Sequence, residues 1–177
     1  MREIALHILD LIENSIRAKA TIIGVALNVD PERDSLAIVI EDTGTGLQVT
    51  PAEALDPFYT TKSAKRTGLG LSLFQAAAEA AGGRLTIGKS ELGPVGVKVT
   101  VEMQLAHIDR TPLGDLSGTL AGVVCLNPQI DYRFGLRVGA RTWNVNAGAV
   151  AAGEPWAMAR RVKEELSSAL KAAEVLT

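Results

Sequence analysis

The segment I-E-D-T-G-T-G-L, Ile40 to Leu47, decides how this chain is read. An apolar run from Ser35 to Glu41 closes on a carboxylate, Asp42, and two glycines, Gly44 and Gly46, come directly after it. A strand that ends this way permits two chemistries. Asp42 could be half of a carboxylate pair sharing one proton, as in an aspartic protease, or it could accept a hydrogen bond from the exocyclic amine of a planar ligand that the glycine backbone approaches closely. The first needs two such aspartates. With one Asp-Thr-Gly in the sequence the chain would have to dimerise, and its other polar features would go unused.

Composition narrows the function classes. With 177 residues, 47% of them apolar, the chain can bury a sizeable core, and its length suits one domain with an appendage. A net charge of -2 and the lack of a basic stripe argue against a nucleic-acid partner. The single cysteine, Cys125, excludes an internal disulfide and reads as a small hydrophobe, and no Cys or His pair has zinc-ligand spacing. The N-terminal Met-Arg-Glu runs into a helix carrying Asp10 and Glu13, unlike a secretory signal, and no apolar stretch is long enough for a bilayer. A cytoplasmic protein without membrane contact is expected.

Outward from Asp42, periodicity orders the chain. Ile4, Ile8, Leu11, Ile12 and Ile16 recur at helical spacing, predicting a helix from Glu3 to Ala20. Thr21 to Val29 and Ser35 to Glu41 read as a hairpin around Asp30-Pro31. Residues 43–67 read as loop with a short turn of helix near Pro51 to Leu55. Leu69 to Ala81 reads as a helix stopped by Gly82-Gly83, and Arg84 to Lys89 with Gly96 to Leu105 as a second hairpin. This predicts an α+β fold, a helical layer on a mainly antiparallel sheet, complete by about residue 105. Residues 106–177 are set apart as a small extension: a helix from Asp115 to Leu126, a hairpin of Tyr132 to Val138 and Arg141 to Val145, and a charged helix from Glu154 to Leu176.

Two further stretches carry chemistry. Asp10, Asn14 and Arg17 fall at i, i+4 and i+7 and share a helix face, with His7 and Glu13 at its edges. A central Asn costs helix propensity and is useful where its amide oxygen binds a metal or its amide a substrate. In D-P-F-Y-T-T-K-S-A-K-R-T-G-L-G-L-S-L, Asp56 to Leu73, the cations Lys62, Lys65 and Arg66 precede Gly68-Leu69-Gly70 at a helix start. Backbone N–H groups at such a start, opened by glycine and flanked by cations, suit a phosphate. The pattern is neither a P-loop nor a dinucleotide fingerprint.

Together L-D-L-I-E-N-S-I-R-A-K-A, I-E-D-T-G-T-G-L, D-P-F-Y-T-T-K and T-G-L-G-L-S-L resemble, in order and spacing, the N, G1, F and G2 boxes of the superfamily of histidine kinases, gyrase, mismatch-repair ATPases and chaperone ATPases. The resemblance covers residues 1 to about 105. It implies the Bergerat α/β sandwich, with ATP held between the helical layer and a lid and with Mg²⁺ as cofactor. Asp42 resembles the residue that binds the adenine amino group, and Asn14 the Mg²⁺ ligand. Gly44 and Gly46 would line the base pocket and Gly68 and Gly70 would cradle phosphates, with Phe58, Thr61, Leu69 and Leu71 of the same boxes counted among the nucleotide-binding residues. Arg17 occupies a place where kinases often carry a phosphate-contacting lysine. Asp10, four residues before Asn14, stands where gyrase has its general-base glutamate, and Glu13 is adjacent to the Asn.

The Phe58-Tyr59-Thr60-Thr61-Lys62 run and the short lid look like histidine kinases and anti-sigma serine kinases. A phosphoacceptor histidine on an upstream dimerisation helix is not expected, because the sequence opens almost at the N box, and neither His7 nor His107 is expected to take that role. Gly96-Val97 stands where many kinases have Gly-Thr. The tail is similar to that of stand-alone ATP-binding proteins of anaerobic bacteria, which often accompany hydrogenase or NADH-oxidising subunits. The expectation is a Mg²⁺-dependent ATP-binding protein that either transfers the γ-phosphoryl to a protein partner or hydrolyses ATP slowly. The alternatives are a nucleotide-gated interaction module and an ATP-operated dimer clamp.

Overall fold

The computed structural model describes residues 3–56, 69–148 and 154–173. Helix α1 spans Ile4–Arg17. It places Ile4, Ile8, Leu11 and Ile12 in the core, each burial contributing roughly 1.5–3 kcal/mol before chain entropy is counted. The helix stops short of the predicted Ala20 because Ala18 leaves helical geometry and Lys19 takes a φ of 59°, turning the chain into the first strand.

Strands β1 (Ile22–Asp30) and β2 (Ser35–Asp42) form an antiparallel hairpin in which alternate residues are buried. Ile38, Ile40 and Asp42 share the buried phase, so Asp42 points to the same side as the core. A short helix α2 (Pro51–Leu55) carries a capping box between Thr50 and Glu53. Helix α3 (Leu69–Ala80) buries Phe74 and Ala78 and leads into β3 (Arg84–Lys89) and β4 (Val97–Gln104).

The sheet extends beyond that hairpin. The extension contributes α4 (Leu116–Leu126), β5 (Asp131–Val138), β6 (Arg141–Ala147) and α5 (Pro155–Ala173). Its strands continue the first sheet in the order β3-β4-β2-β1-β5-β6. β5 lies parallel to β1, with Ile23 opposite Tyr132, and the other neighbouring pairs are antiparallel. Thus β1, the partner of the Asp42 strand, is central, and one buried cluster runs from Ile4 to Ala173. Among the described residues the helices cover one sheet face; the other carries small and polar side chains such as Gly24, Glu41, Lys98 and Arg133.

The two parts of the chain also meet at the start of α1. The first N–H groups of a helix have no partner inside it. Here the Ile4 and Ala5 amides donate to the carbonyls of Pro112 and Leu113, both at 2.9 Å. Asp115 caps α4 by accepting from the Gly118 amide at 2.8 Å.

Candidate functional site

Asp42 ends β2 with 7% of its surface exposed, and a buried carboxylate has to be satisfied. Its Oδ1 accepts from the Gly44 amide at 2.8 Å and from the Val97 amide at 3.4 Å. Its Oδ2 accepts from the Ser15 hydroxyl at 2.7 Å. An ionised carboxylate offers about four lone-pair sites, so one acceptor position is left on Oδ2 for a ligand donor. Ser15 stands in the apolar phase of α1, one residue past Asn14, and is itself buried. Its single proton has two acceptors in reach, Asp42 Oδ2 and the Leu11 carbonyl at 3.1 Å.

The backbone after Asp42 is held tightly. Thr43 accepts on Oγ1 from the amides of Ile22, at 3.0 Å, and Thr21, at 3.2 Å. The Thr45 amide donates to the Ala18 carbonyl at 3.0 Å. Gly44 therefore lies against the end of α1, where a Cβ would come within 2.7 Å of the Ala18 methyl. Gly46 has a φ of +79° and faces Val95. These contacts bring the glycine segment, the C-terminal end of α1 and the start of β4 around Asp42.

On α1, Asp10 and Asn14 are half-buried, one turn apart, and Glu13 and Arg17 are exposed. The Arg17 guanidinium donates to Asn14 Oδ1. The Asp10 carboxylate lies against the first turn of α3, where a Cβ on Gly70 would stand 2.7 Å from Asp10 Oδ2. The structure thus sets Asp10 beside Gly70 and Ser15 against Asp42, while Asn14, next to Ser15 in sequence, is held by Arg17. Leu69 opens α3 and Leu71 packs at the edge of the core. Phe58, Thr61, Lys62, Lys65, Arg66 and Gly68 lie outside the described residues.

Sequence reasoning put His7 at the rim of the polar stripe, but it is 1% exposed and stacks on Phe74 with ring centroids 4.7 Å apart. Neither ring nitrogen has a hydrogen-bond partner among the described residues. Burial holds its pKa below the ordinary value, with Asp10 pulling weakly the other way. The ring acts as a neutral aromatic plate between α1 and α3.

Reasoning from sequence also missed Ser15 and the Val97 amide as partners of Asp42. A signal for Ser15 was available, since it is a hydroxyl in the apolar phase of an amphipathic helix. The Val97 amide had none, because a backbone donor leaves no mark in sequence.

Residues 2–107, well over half of the chain, match the family described as histidine kinase-, DNA gyrase B-, and HSP90-like ATPase. Among solved structures the chain is similar to the Aquifex aeolicus MutL ATPase domain complexed with ADP, at 17% identity and a TM-score of 0.58, over 91% of this chain and 70% of that one. It is also similar to the N-terminal domain of a DNA repair protein, at 14% identity and a TM-score of 0.55, over 82% of this chain. It spans 52% of that chain, about half its length. At these identities the likeness is one of fold, and at 91% coverage it reaches past residue 107 into the extension. The observed sandwich is the Bergerat fold that the four motifs imply. From the match over residues 2–107, with the fold of ATP-binding domains around the Asp-Thr-Gly strand end, the chain belongs to the histidine kinase-, DNA gyrase B- and HSP90-like ATPases, a family that binds ATP.

Proposed function

We propose that the chain is a Mg²⁺-dependent ATP-binding enzyme of the histidine-kinase type, which passes the γ-phosphoryl to a protein partner or hydrolyses ATP slowly. The observation that supports this best is Asp42, three of whose acceptor positions are filled by Ser15, Gly44 and Val97 while one remains for a donor. A 6-amino group supplies such a donor, and a 6-oxo group does not. The MutL ATPase domain of the same fold was obtained with ADP, which agrees with this reading.

The residues fit Mg²⁺ as a cofactor. Among the described residues no cluster of three His, Cys, Asp or Glu side chains could hold a metal alone. An Mg²⁺ shared with a nucleotide needs few protein ligands, since phosphate and water oxygens complete its octahedron. Asn14 Oδ1 is a hard oxygen of the required kind, and it accepts from the Arg17 guanidinium. Bound there, Mg²⁺ would neutralise charge on the triphosphate. Arg17 is then free to turn to a phosphate oxygen, and Lys62, Lys65 and Arg66 are assigned to the phosphates on sequence alone. Asp10, beside the first turn of α3, is the base that would orient or deprotonate the attacking group, with Glu13 as the more exposed alternative. Most of the catalysis is positioning and electrostatics.

A second reading, a nucleotide-gated interaction module without turnover, draws on one observation. The start of α1 is hydrogen-bonded to Pro112 and Leu113, so the helix that carries Asn14 also anchors the extension. An assay with γ-labelled ATP separates the two. Release of phosphate or labelling of protein, slowed in Asp10→Ala with ADP affinity kept, supports the enzyme; binding without either, and no response to Asp10→Ala, supports the module.

A further inference from the structure

We propose that Glu41 is a positioning residue for the nucleotide site, clamping the Ser90–Gly96 loop from the open face of the sheet and so holding the backbone that supports Asp42. The proposal rests on the reading of Asp42 as the acceptor for the adenine amine.

Consecutive strand residues face opposite ways, so Asp42 points to the helices and Glu41 to the open face. Glu41 lies in a cross-strand row between Gly24 and Lys98. Its Oε1 accepts from the Ser90 hydroxyl at 3.1 Å, from the Leu92 amide at 3.2 Å and from the Glu91 amide. Glu91 is tied in turn to Lys98 by a 2.6 Å ion pair. The Leu92 side chain rests on Gly24, 3.4 Å from where a Cβ would stand. The loop is therefore folded across the open face, where one carboxylate oxygen collects three of its donors.

The other end of the same loop builds the site. Gly96 has a φ of +136°, and a Cβ on it would fall 1.9 Å from the Asp42 carbonyl oxygen. Val95 Cγ1 packs 3.3 Å from the Cβ position of Gly46. The Val97 amide reaches Asp42 Oδ1 at 3.4 Å, near the limit for a hydrogen bond, so a shift of a few tenths of an ångström breaks it. A carboxylate that collects three donors from a surface loop does more than close a turn. It fixes the side of the loop away from the ligand, and Asp42 with Gly46 meets the side toward it.

The test compares ATP with ITP, which lacks the 6-amino group, by titration calorimetry on the full chain, with thermal melting alongside. In Glu41→Ala, ATP affinity should fall about tenfold and ITP affinity by about twofold or less, so that the ATP-to-ITP preference shrinks. Glu41→Gln keeps an oxygen acceptor for the same donors and should recover much of the ATP affinity. Ser90→Ala removes one of the three donors and should move the ratio the same way by a smaller factor, which keeps the test available should Glu41→Ala fail to fold. A purely structural role would lower the melting temperature and leave the ratio unchanged, and that result overturns the proposal. Wild-type protein that binds no ATP overturns the Asp42 reading, and the proposal with it.

Discussion

Asp42→Asn changes one atom, and the surrounding hydrogen bonds set what it should do. The new side chain keeps its oxygen toward the Gly44 and Val97 amides, because an NH₂ turned that way would face two donors. The NH₂ then occupies the Oδ2 position. Ser15 can redirect its proton to the Leu11 carbonyl, 3.1 Å away, and accept from the new NH₂. Fold stability should drop by only about 1 kcal/mol, a shift of roughly 2–4 °C in melting temperature for a chain of this size. Nucleotide binding is hit harder. The adenine amine loses a charge-assisted acceptor worth about 1.5–3 kcal/mol, which is roughly a 10- to 150-fold rise in Kd for ATP and ADP. ITP presents an oxygen in place of the amine and should be affected far less. Calorimetric titration of wild type and variant with the three nucleotides, with a thermal melt of each, reads all of this. An unchanged ADP affinity in a folded variant would refute the assignment of Asp42.

Other expectations concern the neighbouring residues. Asn14→Ala should remove most of the Mg²⁺ dependence of ATP binding while leaving ADP binding in EDTA within about twofold; an equal Mg²⁺ response in both proteins would contradict its role. Gly96→Ala forces a methyl toward the Asp42 carbonyl at a backbone angle that suits glycine, so the melting temperature should fall by the equivalent of about 3 kcal/mol or more, with nucleotide binding lost in parallel. A wild-type-like melt would mean that the strand end relaxes easily. His7, whose folded pKa lies below its ordinary value of 6.5, binds fewer protons folded than unfolded. Its contribution to stability is therefore fully present above about pH 6.5 and is lost as pH falls through 6.5 toward the folded value. His7→Leu should flatten that limb of a stability-versus-pH series, and an unaltered slope would show that other groups carry it.

The amphipathic period of α1, the alternation of β1 and β2 and the glycine stop after α3 come from local physics, and all are visible in sequence. The parallel pairing of β5 with β1 is not, since it joins residues more than a hundred positions apart and leaves no local signature. The sheet thus appeared complete at residue 105, whereas its remaining strands lie in the extension. The four motifs single out Asp42, Asn14 and the glycines as candidates, because each answers a strong local requirement. Ser15 and His7 are visible as polar residues on an amphipathic helix, but what they do depends on a partner across the fold, Asp42 or Phe74. Glu41 belongs with them, as its neighbours in space come from a loop some fifty residues later.

The central claim is that this chain holds an adenine nucleotide at Asp42, with Asn14 serving its metal. Titration calorimetry of the purified protein with ATP, ADP and a non-hydrolysable ATP analogue, each with and without Mg²⁺, tests it most directly. The chain should bind one nucleotide saturably, with a Kd on the order of micromolar, tighter for the triphosphates when Mg²⁺ is present. Absence of binding for all three nucleotides up to about millimolar concentration would contradict it.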